Sequence, residues 1–212
     1  MENIFAQPGK PMPHGATIVN DGVNFSVFTR NGTSVILDIF QNPEDENPCF
    51  SYTFDPKINR TGDIWHVFLK GLKAGALYLY RVDGPFNPEK GHRFNKNTYL
   101  LDPYAKSFTD CSVFANLPPD YVTPVDKIDI LTGKTHSAKG FPKCVVIDDD
   151  EFDWQGDRPI NYPLRQSVLY ETHLKGFTAD PSSGVKNPGT YKGLIEKIPY
   201  LKKLGITAIY LN

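Results

Sequence analysis

The chain has 212 residues, 40% hydrophobic and 13% aromatic, with 23 Lys and Arg against 24 Asp and Glu for a formal charge of −1. That is enough for one domain, or one plus part of another, with a sizeable core and no signature of disorder. The balanced charge leaves no electrostatic footprint for nucleic acid or anionic lipid, and no apolar run approaches the ~18 residues that cross a bilayer.

The segment Met1–Pro13 has neither a basic stretch nor an apolar stretch of the secretory kind, which points to the cytoplasm. Next come runs that alternate as half-buried strands do: Val23, Phe25 and Val27 on one face with Asn24 and Ser26 on the other, then Val35, Leu37 and Ile39. Trp65, Val67 and Leu69 repeat the pattern, and so do Tyr78, Tyr80 and Val82. Turn signals separate these runs at Asn20-Asp21-Gly22, Asn31-Gly32 and Lys73-Ala74-Gly75. Asn31-Gly32 is expected to close a hairpin, because a tight hairpin turn needs positive φ at its central residues. Short strands at this spacing, with no helical pattern among them, predict an antiparallel β-sandwich of the immunoglobulin-like kind.

From Pro85 the period is lost, and Pro88, Pro103, Pro118, Pro119 and Pro124 punctuate the chain. Phe86, Phe94, Tyr99, Leu100, Leu101 and Tyr104 keep the stretch apolar, so it is expected to pack against the sandwich. Cys144–Ile147 reads as one more short strand, and Asp148-Asp149-Asp150-Glu151 as a solvated acidic loop that lacks the glycine of a calcium loop. Cys49, Cys111 and Cys144 are too widely spaced for a zinc site or a disulfide framework, and the five histidines show no metal-ligand spacing. No metal and no cofactor is expected. The sequons at Asn24, Asn31 and Asn59 are read as chance.

The last segment follows other rules. Ser167–Thr178 reads as a strand, Thr190–Lys197 as a helix, and Pro199 restarts a second helical turn that ends at Gly205. Ile206–Leu211 reads as a strand apolar enough for burial on both faces, as parallel sheets require. Strand, crossover helix and strand make a βαβ unit. The expected organisation is a sandwich over 1–110, an irregular connector over 111–165 and the βαβ unit over 166–212. A chain ending on an interior parallel strand is expected to be a truncated piece.

Pro11–Phe40, Trp65–Pro85 (WHVFLKGLKAGALYLYRVDGP), Arg93–Lys106 (RFNKNTYLLDPYAK), Phe152–Pro159 (FDWQGDRP), Leu169–Thr178 and Gly189–Leu211 are colinear. In this order they resemble the isoamylase and glycogen-debranching branch of the α-amylase superfamily. The resemblance covers nearly the whole chain. It implies a carbohydrate-binding type of amino-terminal module followed by the first β1-α1-β2 unit of a truncated (β/α)₈ TIM barrel. Branching enzymes carry an Asn-x-Trp element after the strand that here ends in Ile39-Phe40. This chain has Gln41-Asn42-Pro43 there, which is similar to debranching sequences and makes a branching-enzyme fragment the alternative within the superfamily.

The activity implied is hydrolysis of α-1,6-glucosidic branch points in glycogen, starch or branched maltooligosaccharides, by a carboxylate nucleophile and a carboxylic general acid. Those groups follow later barrel strands in the family, so no residue here is expected to be catalytic and the fragment alone is expected to be inactive. Its remaining partner would be the rest of its own barrel. A stand-alone glucan-binding module or a structural domain are rival readings. Sugar binding needs flat exposed aromatics. Related glucan-sensing modules place one after the Asp-Gly that matches Asp83-Gly84, which makes Phe86 the candidate substrate-binding residue, although Pro85-Phe86 departs from the family pattern. Trp65, alternating with Val67 and Leu69, is expected in the core, and Trp154, beside Phe152, is expected to anchor the connector. Glu171 and His173 are read as polar residues of the first barrel strand.

Overall fold

The computed structural model describes residues 4–109 and 137–212. They form two compact units, Met1–Phe152 and Asp153–Asn212. Cys111 and the part of the expected connector up to residue 136 lie outside the described residues.

In the first unit, strands β1 (Phe5–Pro8), β2 (Gly15–Val19), β3 (Gly22–Phe28), β4 (Ser34–Phe40), β5 (Phe50–Thr53), β6 (Arg60–Thr61), β7 (Ile64–Lys70) and β8 (Leu77–Asp83) follow in order. Four two-residue ribbons complete it: β9 (Phe86–Asn87), β10 (His92–Arg93), β11 (Ser107–Phe108) and β12 (Cys144–Val145). One antiparallel sheet runs β1-β7-β3-β2 with β6 also on β7, and the other runs β11-β12-β8-β4-β5. Their inner faces meet in one core: Val23, Phe25, Val27, Trp65, Val67 and Leu69 from the first sheet, Val35, Leu37, Ile39, Tyr78, Tyr80 and Val82 from the second. Phe25 meets Tyr78 edge-on across the interface at 5.0 Å. The alternation read from the sequence is this inner face, and each such side chain contributes about 1.5–3 kcal/mol by leaving water. The result is a mainly β, antiparallel sandwich.

The outer faces differ from the simple alternating picture. Asn24 and Ser26 are buried, not solvated. The chain before β2 lies across them: Asn24 Oδ1 accepts from Lys10 N at 2.7 Å, its Nδ2 donates to Lys10 O at 3.0 Å, and Ser26 Oγ donates to Pro11 O at 2.7 Å. Gly9 permits this approach, since a Cβ there would stand 2.6 Å from the Val67 carbonyl carbon. On the second sheet, Asp38 is fully buried; it accepts from Arg81 Nε at 2.5 Å, from an Arg81 terminal nitrogen at 3.0 Å and from Ser51 Oγ at 2.5 Å. The Arg81 guanidinium in turn lies 5.6 Å over the Tyr99 ring. Leu100 exchanges both backbone hydrogen bonds with Tyr80, so the apolar stretch after Pro85 continues the second sheet at that point.

Of the turn signals, Asn20-Asp21 closes the β2–β3 hairpin, with Asn20 at φ 50°. Asn31-Gly32 closes none: β3 and β4 belong to different sheets. Neither Asn31 nor Gly32 takes the positive φ that a hairpin turn needs. Gly32 is required for space, because a Cβ would meet Thr29 Oγ1 at 2.7 Å and Val82 Cγ1 at 3.0 Å where the chain changes sheets. The Lys73–Gly75 turn likewise carries the chain from β7 to β8 in the other sheet.

The second unit has β13 (Leu169–Thr172), helices α1 (Leu174–Ala179), α2 (Tyr191–Glu196) and α3 (Ile198–Lys203), and β14 (Ala208–Leu211) parallel to β13. It is a βαβ unit. The strand expected over Ser167–Thr178 stops at Thr172, because His173 caps α1 through Nδ1, accepting from Gly176 N at 3.2 Å. Thr190 caps α2 in the same way through Oγ1. Pro199 sits in the first turn of α3. A Schellman motif ends that helix: Gly205 has φ 82° and donates to Lys202 O, and Ile206 N donates to Leu201 O at 3.1 Å. The burial on both faces expected of Ile206–Leu211 is not reached: Tyr210 is 60% exposed.

Candidate functional site

Phe86 is placed by a short ribbon at the end of β8. Asp83 Oδ1 accepts from Gly84 N at 3.0 Å, which turns the chain out of the sheet. Gly84 is obligatory there, since a Cβ would stand 2.7 Å from Phe94 Cγ and 2.9 Å from Asn31 O. The Asp-Gly signal therefore marks a close approach by the Phe94 ring. After the turn, Phe86 pairs with Arg93, and Asn87 with His92. Pro88–Lys90 forms a single 3₁₀ turn, capped by Asn87 Oδ1 and ended by Gly91 at φ 80°. The Lys96 ammonium lies 3.9 Å from the Asp83 carboxylate.

Phe86 itself is half-buried, so only part of its ring is available for stacking. Trp65 is fully buried, with the Arg60 guanidinium 4.9 Å over it and the Phe54 ring 6.4 Å away. It belongs to the core as expected. Trp154 is 65% exposed, and Phe152 is 64% exposed. Glu171 lies on β13, is exposed, and accepts from Asn212 Nδ2 at 2.8 Å. His173 is not on the strand; it is the α1 cap described above.

Several ionisable groups have structural explanations. Asp102 is buried, which raises its carboxyl, and it accepts from Tyr78 Oη at 2.8 Å and Tyr104 N at 2.8 Å. Burial also pushes the Cys144 thiol up to about 12, and it accepts from Asp102 N at 3.3 Å. Cys49 Sγ donates to Ile39 O at 3.1 Å, and desolvation raises it too. Neither thiol is poised as a nucleophile. Lys143 is buried with its ammonium donating to the carbonyls of Pro43, Ala138 and Phe141, and burial lowers its pKa. Asp148 caps the 3₁₀ turn Asp149–Glu151. Among the described residues no cluster of three His, Cys, Asp or Glu side chains could hold a metal, and no helix is long and apolar enough to cross a membrane.

Residues 13–105 match the family Carbohydrate-binding module 48 (Isoamylase N-terminal domain). They are similar to that isoamylase-type amino-terminal module. The span runs from just before β2 to just past Asp102-Pro103 and so takes in β2 to β10, the main strands of both sheets and the Phe86 ribbon. Beyond the module the similarity continues: isoamylase 1, chloroplastic, of Arabidopsis thaliana is 39% identical over 99% of this chain and 25% of its own length. A glycogen debranching enzyme of Yersinia enterocolitica is 39% identical over 96% of this chain and 29% of its own. The chain thus spans about a quarter of the length of the curated relatives it matches. A pullulanase from group B Streptococcus, solved in complex with maltotetraose, superposes with a TM-score of 0.62 at 23% identity, over 94% of this chain and 23% of its own. That likeness shows the fold.

Proposed function

We propose that this chain is the amino-terminal part of a debranching glycoside hydrolase that cleaves α-1,6-glucosidic branch points in glycogen or starch. The observation that carries the reading is 39% identity held colinearly over 99% of the chain, through the module and on into the βαβ unit. In this reading β13, the helices and β14 are the first β1-α1-β2 unit of a (β/α)₈ barrel, whose catalytic carboxylates come from later strands. The division is a sandwich over 1–110, a connector over 111–165 that returns Cys144–Val145 to the sandwich's second sheet, and the barrel start over 166–212. The sandwich engages glucan through the end of the second sheet, with Phe86 as the stacking aromatic. Thiols buried or bonded to the backbone suit a reducing cytoplasm.

The test has two parts. The 212-residue chain releases no reducing sugar from amylopectin or glycogen limit dextrin, and it is retarded in a native gel cast with glycogen. The protein encoded by the coding sequence continued past Asn212 debranches limit dextrin and leaves linear maltooligosaccharides intact. New branch points formed in linear amylose, or hydrolysis by the 212-residue chain above a heat-killed control, would overturn the assignment.

A further inference from the structure

Asn31-Gly32 has the residues of a hairpin turn but closes no hairpin, because β3 and β4 lie in different sheets. It is the single Asn-Gly step in the chain. That dipeptide has a second chemistry, attack of the glycine nitrogen on the side-chain amide carbon of the asparagine. Glycine allows the approach because it has no Cβ to stand in the way. Asn31 is exposed, and Gly32 is buried at the passage between the sheets.

The nucleophile is tied down in the folded chain. Gly32 N donates to Thr29 Oγ1 at 3.1 Å. Thr29 is itself fixed, since its N donates to Asp63 O at 2.9 Å and the neighbouring Arg30 Nε donates to Asp63 Oδ2 at 2.9 Å. Directly after the motif, Thr33 N donates to Asp83 O at 2.8 Å, where β4 begins to pair with β8. The backbone at Asn31 also passes against the turn before the Phe86 ribbon: Asn31 O is 2.9 Å from the place a Cβ on Gly84 would take.

We propose that Asn31 is a site of spontaneous deamidation and that the Thr29 hydroxyl sets its rate. In the reaction Gly32 N gives its proton to solvent base and attacks Asn31 Cγ. The new N–C bond forms, the bond from Cγ to the side-chain nitrogen breaks, and that nitrogen leaves as ammonia, giving a succinimide. Water then opens either carbonyl, to aspartate or to isoaspartate, so water is the only co-reactant. The bond to Thr29 must be released before the nitrogen turns onto Cγ, which makes the folded chain slower than the unfolded one. Isoaspartate lengthens the main chain by a methylene at the Asn31–Gly84 contact and so disturbs the turn that leads to Phe86. Asp21-Gly22 and Asp83-Gly84 react less readily, because a carboxylate is a poorer electrophile than an amide; Lys70 holds the first at 2.8 Å and Lys96 stands 3.9 Å from the second. None of this depends on glucan binding.

The 212-residue chain is aged in mildly alkaline buffer, folded and in urea. Peptide mass spectrometry maps the conversion, and labelling by an isoaspartyl methyltransferase measures the isoaspartate. Thr29→Val keeps the shape of the side chain without its hydroxyl, and Thr29→Ser keeps the hydroxyl; a thermal melt checks that each is folded. Conversion in the folded wild type is expected at Asn31 and slower than in urea. Thr29→Val is expected to speed it about fivefold, the equivalent of about 1 kcal/mol for one neutral hydrogen bond, while Thr29→Ser stays near the wild-type rate. The comparison of folded with urea-unfolded wild type needs no variant, so it decides even where Thr29→Val does not fold. A folded rate equal to that in urea, a folded Thr29→Val that ages no faster than the wild type, or conversion that falls first on other asparagines would overturn the proposal.

Discussion

Trp65→Ala is the perturbation that tests the sandwich most directly. The indole is fully buried, in contact with Phe54 and covered by the Arg60 guanidinium at 4.9 Å. Truncation to alanine removes the apolar transfer energy and leaves a hole that the two rigid sheets close only in part, at a cost of about 3–5 kcal/mol. Loss of the guanidinium contact adds about 0.5–1 kcal/mol. For a unit of this size each kcal/mol lowers the melting temperature by roughly 2–4 °C, so the variant should melt about 7–24 °C below the wild type. Phe86→Ala, at a half-buried position on a two-residue ribbon, should stay within about 3 °C, because little area is uncovered. Thermal melts of both variants followed by near-UV circular dichroism make the comparison, with retardation in a glycogen gel measured alongside. A Trp65→Ala protein that melts with the wild type yet no longer binds glucan would refute the assignment of this tryptophan to the core.

Arg81→Leu should cost roughly 3 kcal/mol because it strands the buried Asp38 carboxylate, whereas Arg81→Leu with Asp38→Leu should recover most of the loss; urea melts of the double-mutant cycle read this. Gly84→Ala should destabilise the unit and release the Phe86 ribbon, since its Cβ collides with the Phe94 ring; faster amide exchange confined to residues 84–95 would report it. His66 is buried beside Thr61 Oγ1, and desolvation lowers its pKa below the usual 6.5. Its neutral form is therefore favoured in the folded state, so stability is full above pH ~6.5 and falls as pH drops through the folded pKa. His66→Gln should flatten that part of the pH–stability curve, and an unchanged slope below pH ~6.5 would show that His66 is not its source.

The alternation at Val23–Val27, Val35–Ile39, Trp65–Leu69 and Tyr78–Val82 determined the two inner faces of the sandwich by itself. A side chain on a strand has only two directions to point, and burial selects the apolar one. The caps and stops at Thr190, Pro199 and Gly205 were equally local, because a helix end is satisfied within four or five residues. What the sequence could not decide depended on partners far away in the chain. Asn31-Gly32 looks like a hairpin turn, but β3 finds its neighbours in β2 and β7, so the glycine serves a passage between sheets. Asn24 and Ser26 read as solvated until the backbone at Lys10 and Pro11 lies across them. His173 continued an apolar-alternating strand on paper, yet its ring nitrogen was taken by Gly176 N and started a helix. The resemblance singled out Phe86 after Asp83-Gly84, but the ribbon that holds it, paired with His92 and Arg93, is set by the tertiary structure.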